Sequence, residues 1–237
     1  MASVMITSRP WLALLAICIA LPSAFAGENT TRAADATVTA SQSTAVRPPG
    51  HANLGQEHAS IEAVQVADWV VDSANNQGMP FMIVDKVNAR VLMFDASGKL
   101  QGAASALLGL ARGDDSTPGI GERKLSTIRP DERTTPAGRF VASLAPDIHG
   151  EEILWIDYST AISLHRVIKG TPAERRAQRL ASPAADDKRI SYGCINVPVK
   201  FYEQVVSPAF MTTSGVVYIL PETRSAREVF GSYIVRR

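Results

Sequence analysis

Between Ile61 and Ala74 the apolar residues Ile61, Ala63, Val64, Val66, Ala67, Val70, Val71 and Ala74 recur at steps of three and four, the spacing of one helical face. Ser60 precedes the run as a candidate N-cap, and Gly78 follows it as a stop. From Met79-Pro80 onward the runs shorten and become β-branched and aromatic. Phe81 to Val87 and Arg90 to Asp95 are joined at Asn88-Ala89, and a second turn at Ala96-Ser97-Gly98-Lys99 leads into Leu100 to Leu110, which together predict a β-meander. Residues 111–135 carry no periodicity, and a loop of that length in a compact domain is often functional. Thr135-Pro136-Ala137-Gly138 then opens a strand over Arg139 to Leu144. Further strands are predicted at Ile153 to Tyr158 and Ala161 to Ile168. In the last of these, alternation sets Ile162, Leu164 and Arg166 on one face and Ser163, His165 and Val167 on the other. Thr171-Pro172-Ala173-Glu174 has a helix-start signature, predicting a short basic helix to Leu180 whose Arg175, Arg176 and Arg179 form a solvated face or an anion-facing rim. Val199 to Val206 reads as a helix and Val216 to Leu220 as a closing strand. The chain is thus expected to be mainly β with a few short helices.

The first 58 residues follow a different pattern. Within residues 1–26, Arg9 is followed by the apolar run Trp11 to Leu21 and the small-residue pattern Ala24-Phe25-Ala26, the order of a secretory signal peptide. The apolar stretch is short for the roughly 30 Å core of a bilayer, so no stable membrane span is expected after cleavage. Residues 27–58 are poor in large apolar side chains and end near Arg47-Pro48-Pro49-Gly50, which predicts a flexible spacer in which His51 and His58 are solvated. Residues 59–237 remain as the folded domain. Charge narrows the picture further: the whole chain carries +1 and loses Arg9 with the signal, so no basic footprint for nucleic acid is present.

Cleavage would also remove Cys18, leaving Cys194 as a lone thiol in an oxidising compartment, with no partner in the chain for a disulfide. One cysteine and dispersed histidines do not make a metal-ligand set, and neither a metal nor a cofactor is implied. Cys194 lies in Arg189-Ile190-Ser191-Tyr192-Gly193-Cys194-Ile195-Asn196-Val197. A free thiol titrates near about 8.5, so a nucleophilic cysteine needs a base, and it needs donors aimed at the developing oxyanion. Gly193 frees the backbone to turn, so amides around Tyr192, Gly193 and Cys194 are candidate donors. Of the two histidines in the folded region, His149 falls in a turn and His165 in a strand, and the strand histidine is the better-placed base.

Leu164-His165 followed by Ser191-Tyr192-Gly193-Cys194-Ile195-Asn196 resembles the signature of L,D-transpeptidase (YkuD-like) catalytic domains. Phe81-Met82-Ile83-Val84-Asp85 through Arg90-Val91-Leu92-Met93-Phe94 is similar to that family's opening hairpin, Thr135-Pro136-Ala137-Gly138-Arg139-Phe140 to its Thr-Pro-x-Gly-x-Phe element, and Ser214-Gly215-Val216-Val217-Tyr218-Ile219 to its last strand. The resemblance implies a mixed β-sheet or sandwich domain in which cysteine attacks the third residue of a peptidoglycan stem peptide, releases the terminal D-alanine and passes the acyl group to an acceptor amine. That amine would belong to a second stem peptide or a wall-linked protein, in the periplasm or outside the cell. Carried over, Cys194 is the nucleophile, His165 its base, the backbone carbonyl of Arg166 the group that orients the imidazole, and Ser191 a support for the turn. The amides near Tyr192, Gly193 and Cys194 form the oxyanion site.

This sequence departs from the pattern at three places. Tyr192 stands where a second histidine is usual, Arg166 where a small residue is common, and the interval between His165 and Cys194 is lengthened by residues 171–188, expected to lie as a flap near the site. Three functions fit these residues: transfer to an amine; hydrolysis of the same acyl-enzyme by an L,D-carboxypeptidase or amidase; and a non-catalytic wall-binding module.

Overall fold

The computed structural model describes residues 49–236. The expected signal peptide and most of the expected spacer fall outside them. Helix α1 (Ile61–Ser73) begins where the sequence places it, with the Ser60 hydroxyl accepting from the Ala63 amide at 3.1 Å. It ends at Ala74, whose left-handed conformation closes the last turn onto the Val70 and Val71 carbonyls. The expected meander is β1 (Phe81–Asp85), β2 (Arg90–Phe94) and β3 (Leu100–Ser105). The chain then breaks, because the continuation forms a separate two-residue strand, β4 (Leu108–Gly109), which pairs in parallel with β8 (Arg189–Ser191). The remaining strands are β5 (Gly138–Pro146), β6 (Glu152–Asp157), β7 (Ile162–Arg166), β9 (Ile195–Val197) and β10 (Gly215–Ile219).

Eight strands form one mixed sheet in the order β3-β2-β1-β10-β5-β6-β7-β9. Its ends approach each other. Leu107, just past β3, exchanges both backbone hydrogen bonds with Asn196 of β9, so the sheet curls toward closure. Strand alternation divides the apolar residues between its two faces. Met82, Val84, Leu154, Ile162, Leu164 and Ile195 fill the inside of the curl. There they pack against Tyr202, Val206 and Phe210 from a helical run in which α3 (Val199–Phe201) passes through a π-helical stretch, Tyr202–Val206, into α4 (Ser207–Phe210). Phe81, Ile83, Val216 and Tyr218 face the other way, against Trp69 of α1 and Phe230 of the C-terminal α5 (Ala226–Phe230).

Three expectations need correction. The described end of the expected spacer, residues 49–58, packs on the domain: the Ala52 amide donates to buried Asp68, Asn53 bridges to Lys99, and His51 Nδ1 lies 3.2 Å from Asp68. Local composition could not register these contacts because their partners lie on α1 and at the start of β3. The predicted helix from Thr171 to Leu180 is divided. Thr171 makes no cap, Pro172–Glu174 is a single 3-10 turn, Arg175 is left-handed, and α2 (Arg176–Ala181) starts only after it. The basic face is not uniformly solvated either, since Arg176 is buried. Residues 171–188, expected as a flap, are fixed to the domain through Arg176, which donates to Asn196, and through the Arg112–Asp186 pair. Within the segment Arg179 donates to the Glu174 and Asp187 carbonyls and Lys188 to Ser182 O.

Candidate active site

His165 and Cys194 come from neighbouring strands. β7 and β9 run parallel, His165 lies beside Asn196 in their register, and Cys194 immediately precedes β9. Ser163 and His165 share the face that alternation predicted. The Ser163 hydroxyl donates to Cys194 Sγ at 3.5 Å, and the Ala161 carbonyl lies 3.6 Å from the same sulfur. The turn that presents the thiol is internally braced. Ser191 Oγ donates to the Cys194 carbonyl at 2.6 Å and accepts from the Gly193 amide at 3.1 Å. Gly193 has φ +131°, and a side chain there would meet the Thr134 carbonyl at 2.8 Å and Ile162 Cδ1 at 2.7 Å. Its carbonyl accepts from Thr135 Oγ1 at 2.7 Å, and that hydroxyl in turn accepts from the Gly109 amide at 2.9 Å. The Gly193 amide is therefore committed to Ser191, which leaves Tyr192 and Cys194 as the candidate oxyanion donors of this turn.

His165 Nδ1 lies 2.8 Å from the Arg166 carbonyl, which can only accept, so Nδ1 carries a proton and Nε2 is the nitrogen left for proton exchange. Burial pushes His165 toward the neutral form. Its hydrogen bond to Cys194, the charge on that sulfur and the Arg166 carbonyl outweigh burial and raise it above its ordinary value, while Arg176 acts in the opposite sense. Burial also pushes the Cys194 thiol up, but hydrogen bonds from His165 and Ser163 bring it below its ordinary value. Each group thus stabilises the charged form of the other, the arrangement that makes a thiol nucleophilic near neutrality.

The side chain of Arg166 points away from this pair. It stacks on Tyr202 at 4.2 Å and reaches Glu203 and the Glu152 carbonyl. Tyr192 is half-buried, with the Arg133 guanidinium 4.0 Å over its ring. On the His165 side a cavity of about 500 Å³ opens, lined by Ser163, His165 and Ile168 together with Asp147, His149 and Glu152. His149 lies in the turn expected for it, its amide donating to Asp147. On the same face of β6, Trp155 stands opposite Ser163 and stacks with Tyr158 at 4.7 Å.

Sequence reasoning did not identify Asn196 and Arg176 as site residues. Asn196 is buried, and its amide lies 3.4 Å from His165 Nε2 and 3.3 Å from the Cys194 carbonyl. Arg176 Nη1 donates to Asn196 Oδ1 at 2.8 Å. The one cue in the sequence is an arginine four residues beyond a proline in a segment inserted between base and nucleophile. Among the described residues no cluster of three metal-ligating side chains occurs, and no helix is long and apolar enough to cross a membrane.

No family model matches the chain, and no curated protein does. Solved structures do. An L,D-transpeptidase from Xylanimonas cellulosilytica is 13% identical over 60% of this chain and 60% of its own, with a TM-score of 0.36. One from Mycobacterium smegmatis is 13% identical over 59% and 58%, with a TM-score of 0.34. The catalytic domain of the E. faecium L,D-transpeptidase is 18% identical over 60% of this chain and 98% of its own, with a TM-score of 0.33. The chain spans about half to three fifths of the length of the first structures it matches. These three solved structures are L,D-transpeptidases.

Proposed function

We propose that this chain is an exported cysteine acyltransferase that acts on peptidoglycan stem peptides as an L,D-transpeptidase. The observation that carries this reading is the placement of Cys194 beside the His165 strand, with Ser163 donating to the thiol and His165 Nδ1 fixed by a backbone carbonyl. The ordered motifs from Leu164-His165 to Asn196 support the substrate class.

In the proposed reaction the Cys194 thiolate attacks the carbonyl carbon of the third stem residue. A C–S bond forms, and the Tyr192 and Cys194 amides receive the oxyanion. As the C–N bond to D-alanine breaks, the His165 imidazolium gives its Nε2 proton to the leaving amine. The neutral imidazole then takes a proton from the acceptor amine as it attacks the thioester, and the C–S bond breaks. The carboxylates of Asp147 and Glu152 beside His165 favour an ammonium-bearing acceptor over water.

The test is incubation of the purified protein with tetrapeptide muropeptides, followed by product analysis and intact-mass measurement. Cross-linked dimer and free D-alanine are expected, both abolished in Cys194→Ala and reduced about 10²- to 10⁴-fold in His165→Ala. Free D-alanine without dimer, even with added amine, would make the enzyme a hydrolase. Absence of both products with Cys194 unmodified would end the enzymatic reading.

A further inference from the structure

We propose that Arg176 is a positioning residue for the His165–Cys194 pair: by gripping the oxygen of the Asn196 amide it holds the amide nitrogen against the imidazole and selects the form of His165 that receives the thiol proton. This rests on the proposed acyl transfer for its purpose, but on geometry alone for its existence.

A guanidinium has donors only, so the Asn196 atom 2.8 Å from Arg176 Nη1 must be the oxygen. The amide nitrogen is then obliged to face Cys194 O at 3.3 Å and His165 Nε2 at 3.4 Å. An N–H directed at Nε2 is satisfied when that nitrogen bears a lone pair and is opposed when it bears a proton. With Nδ1–H spent on the Arg166 carbonyl, the Asn196 amide therefore favours neutral imidazole with its lone pair at Nε2. The positive charge of Arg176 acts in the same direction.

The thiolate pulls the other way. The proton between sulfur and nitrogen is thereby kept mobile, available to leave with an amine instead of being locked in a permanent ion pair. Arg176 itself is fixed, buried and gripped at Nε by Glu174 Oε2 at 2.6 Å. This gives the segment lengthened between base and nucleophile a purpose: it carries an arginine inward to the far side of Asn196.

Other charges also face His165. Asp147, His149 and Glu151 of the turn between β5 and β6, and Glu152 at the start of β6, line the same cavity, and Arg166 follows on its own strand with its guanidinium held by Glu203. None of them contacts Asn196 through a hydrogen bond in the structure, so a change at Arg176 reads out separately from them.

The experiment is a pH titration of the full chain without substrate, following the His165 ring by NMR and the rate of Cys194 alkylation by iodoacetamide, mapped to its peptide. Removing a nearby cation makes the pair hold its protons more tightly. Arg176→Met is expected to move the midpoint up by about one pH unit, and Arg176→Lys, which keeps the charge, to return it most of the way. Glu174→Gln, at a partly exposed position, leaves the Arg176 charge uncompensated and is expected to move the midpoint down. Unmoved midpoints in a folded Arg176→Met variant overturn the proposal. If that variant does not fold, an unmoved midpoint in Glu174→Gln overturns it. Shifted midpoints in a protein that never acylates would retract the proposed function and leave the positioning role standing.

Discussion

At the scale of single residues, the thiol depends on one backbone conformation. Gly193 sits at φ +131°, and an added Cβ would fall within 2.8 Å of a backbone oxygen that cannot swing aside. Gly193→Ala is therefore expected to cost about 1–3 kcal/mol of stability from backbone strain. It should also slow Cys194 alkylation, because relief of the clash moves the turn that aims the sulfur. Denaturant midpoints and alkylation rates measured on the same preparation check both parts; a variant of normal stability and normal reactivity would show that the turn tolerates a side chain. By contrast, the Arg166 side chain lies over Tyr202 and leaves only its carbonyl to His165.

At the scale of elements, what holds the turn is a buried charge cluster behind it. Lys86, directly after β1, is wholly buried and donates to Asp114 at 2.8 Å, to the Gly113 carbonyl and to the Thr135 carbonyl. Thr135 then bonds to Gly193 O, so the cluster reaches the Gly193 turn in two steps. Burial pushes the Asp114 carboxyl up, but Lys86, Thr223 and the Glu222 and Thr223 amides together hold it far below its ordinary value of 3.8.

A depressed carboxylate contributes stability above its unfolded pKa and loses it as pH falls toward the folded one. Melting temperature should thus be insensitive to Asp114 above about pH 5 and fall steadily below about pH 4. Asp114→Asn, which leaves buried Lys86 only its longer 3.7 Å pairing with Glu222, should cost about 3–5 kcal/mol at neutral pH and flatten the acid limb. An acid limb equally steep in the variant would assign it to other carboxylates.

Strand and helix periodicity made α1, the β1–β3 meander and the two faces of β7 legible, because each is set by residues a few positions apart. The Asp114 cluster was not legible. Its members sit in loops at 86, 114, 135 and 222, and only the fold makes them neighbours. Arg176 was misjudged for a related reason: a basic residue in a short polar helix reads as solvated unless its buried partner, here Asn196, is known.

At the scale of the molecule, the sheet separates two apolar regions, the one inside the curl toward β7 and β9 and the other beneath α1 and α5. Trp69 anchors the second, edge-on to Tyr218 at 6.0 Å and stacked on Phe230 at 6.3 Å. Trp69→Ala should cost about 3–5 kcal/mol. Cys194 alkylation should keep its rate and pH midpoint well below the melting temperature, since no contact of Trp69 reaches β7 or β9. A changed midpoint would mean that the two regions communicate through the sheet.

The strand order has one more consequence. β10, nearly the last element made, lies between β1 and β5, with Phe81 facing Val216 and Gly138 facing Ile219. A growing chain can form the first hairpin and the β5–β7 ladder before residue 219 is available, joined until then at the far edge alone, where Leu107 meets Asn196 and β4 meets β8. The hydrogen bonding of the sheet becomes continuous between β1 and β5 when one five-residue strand enters the gap.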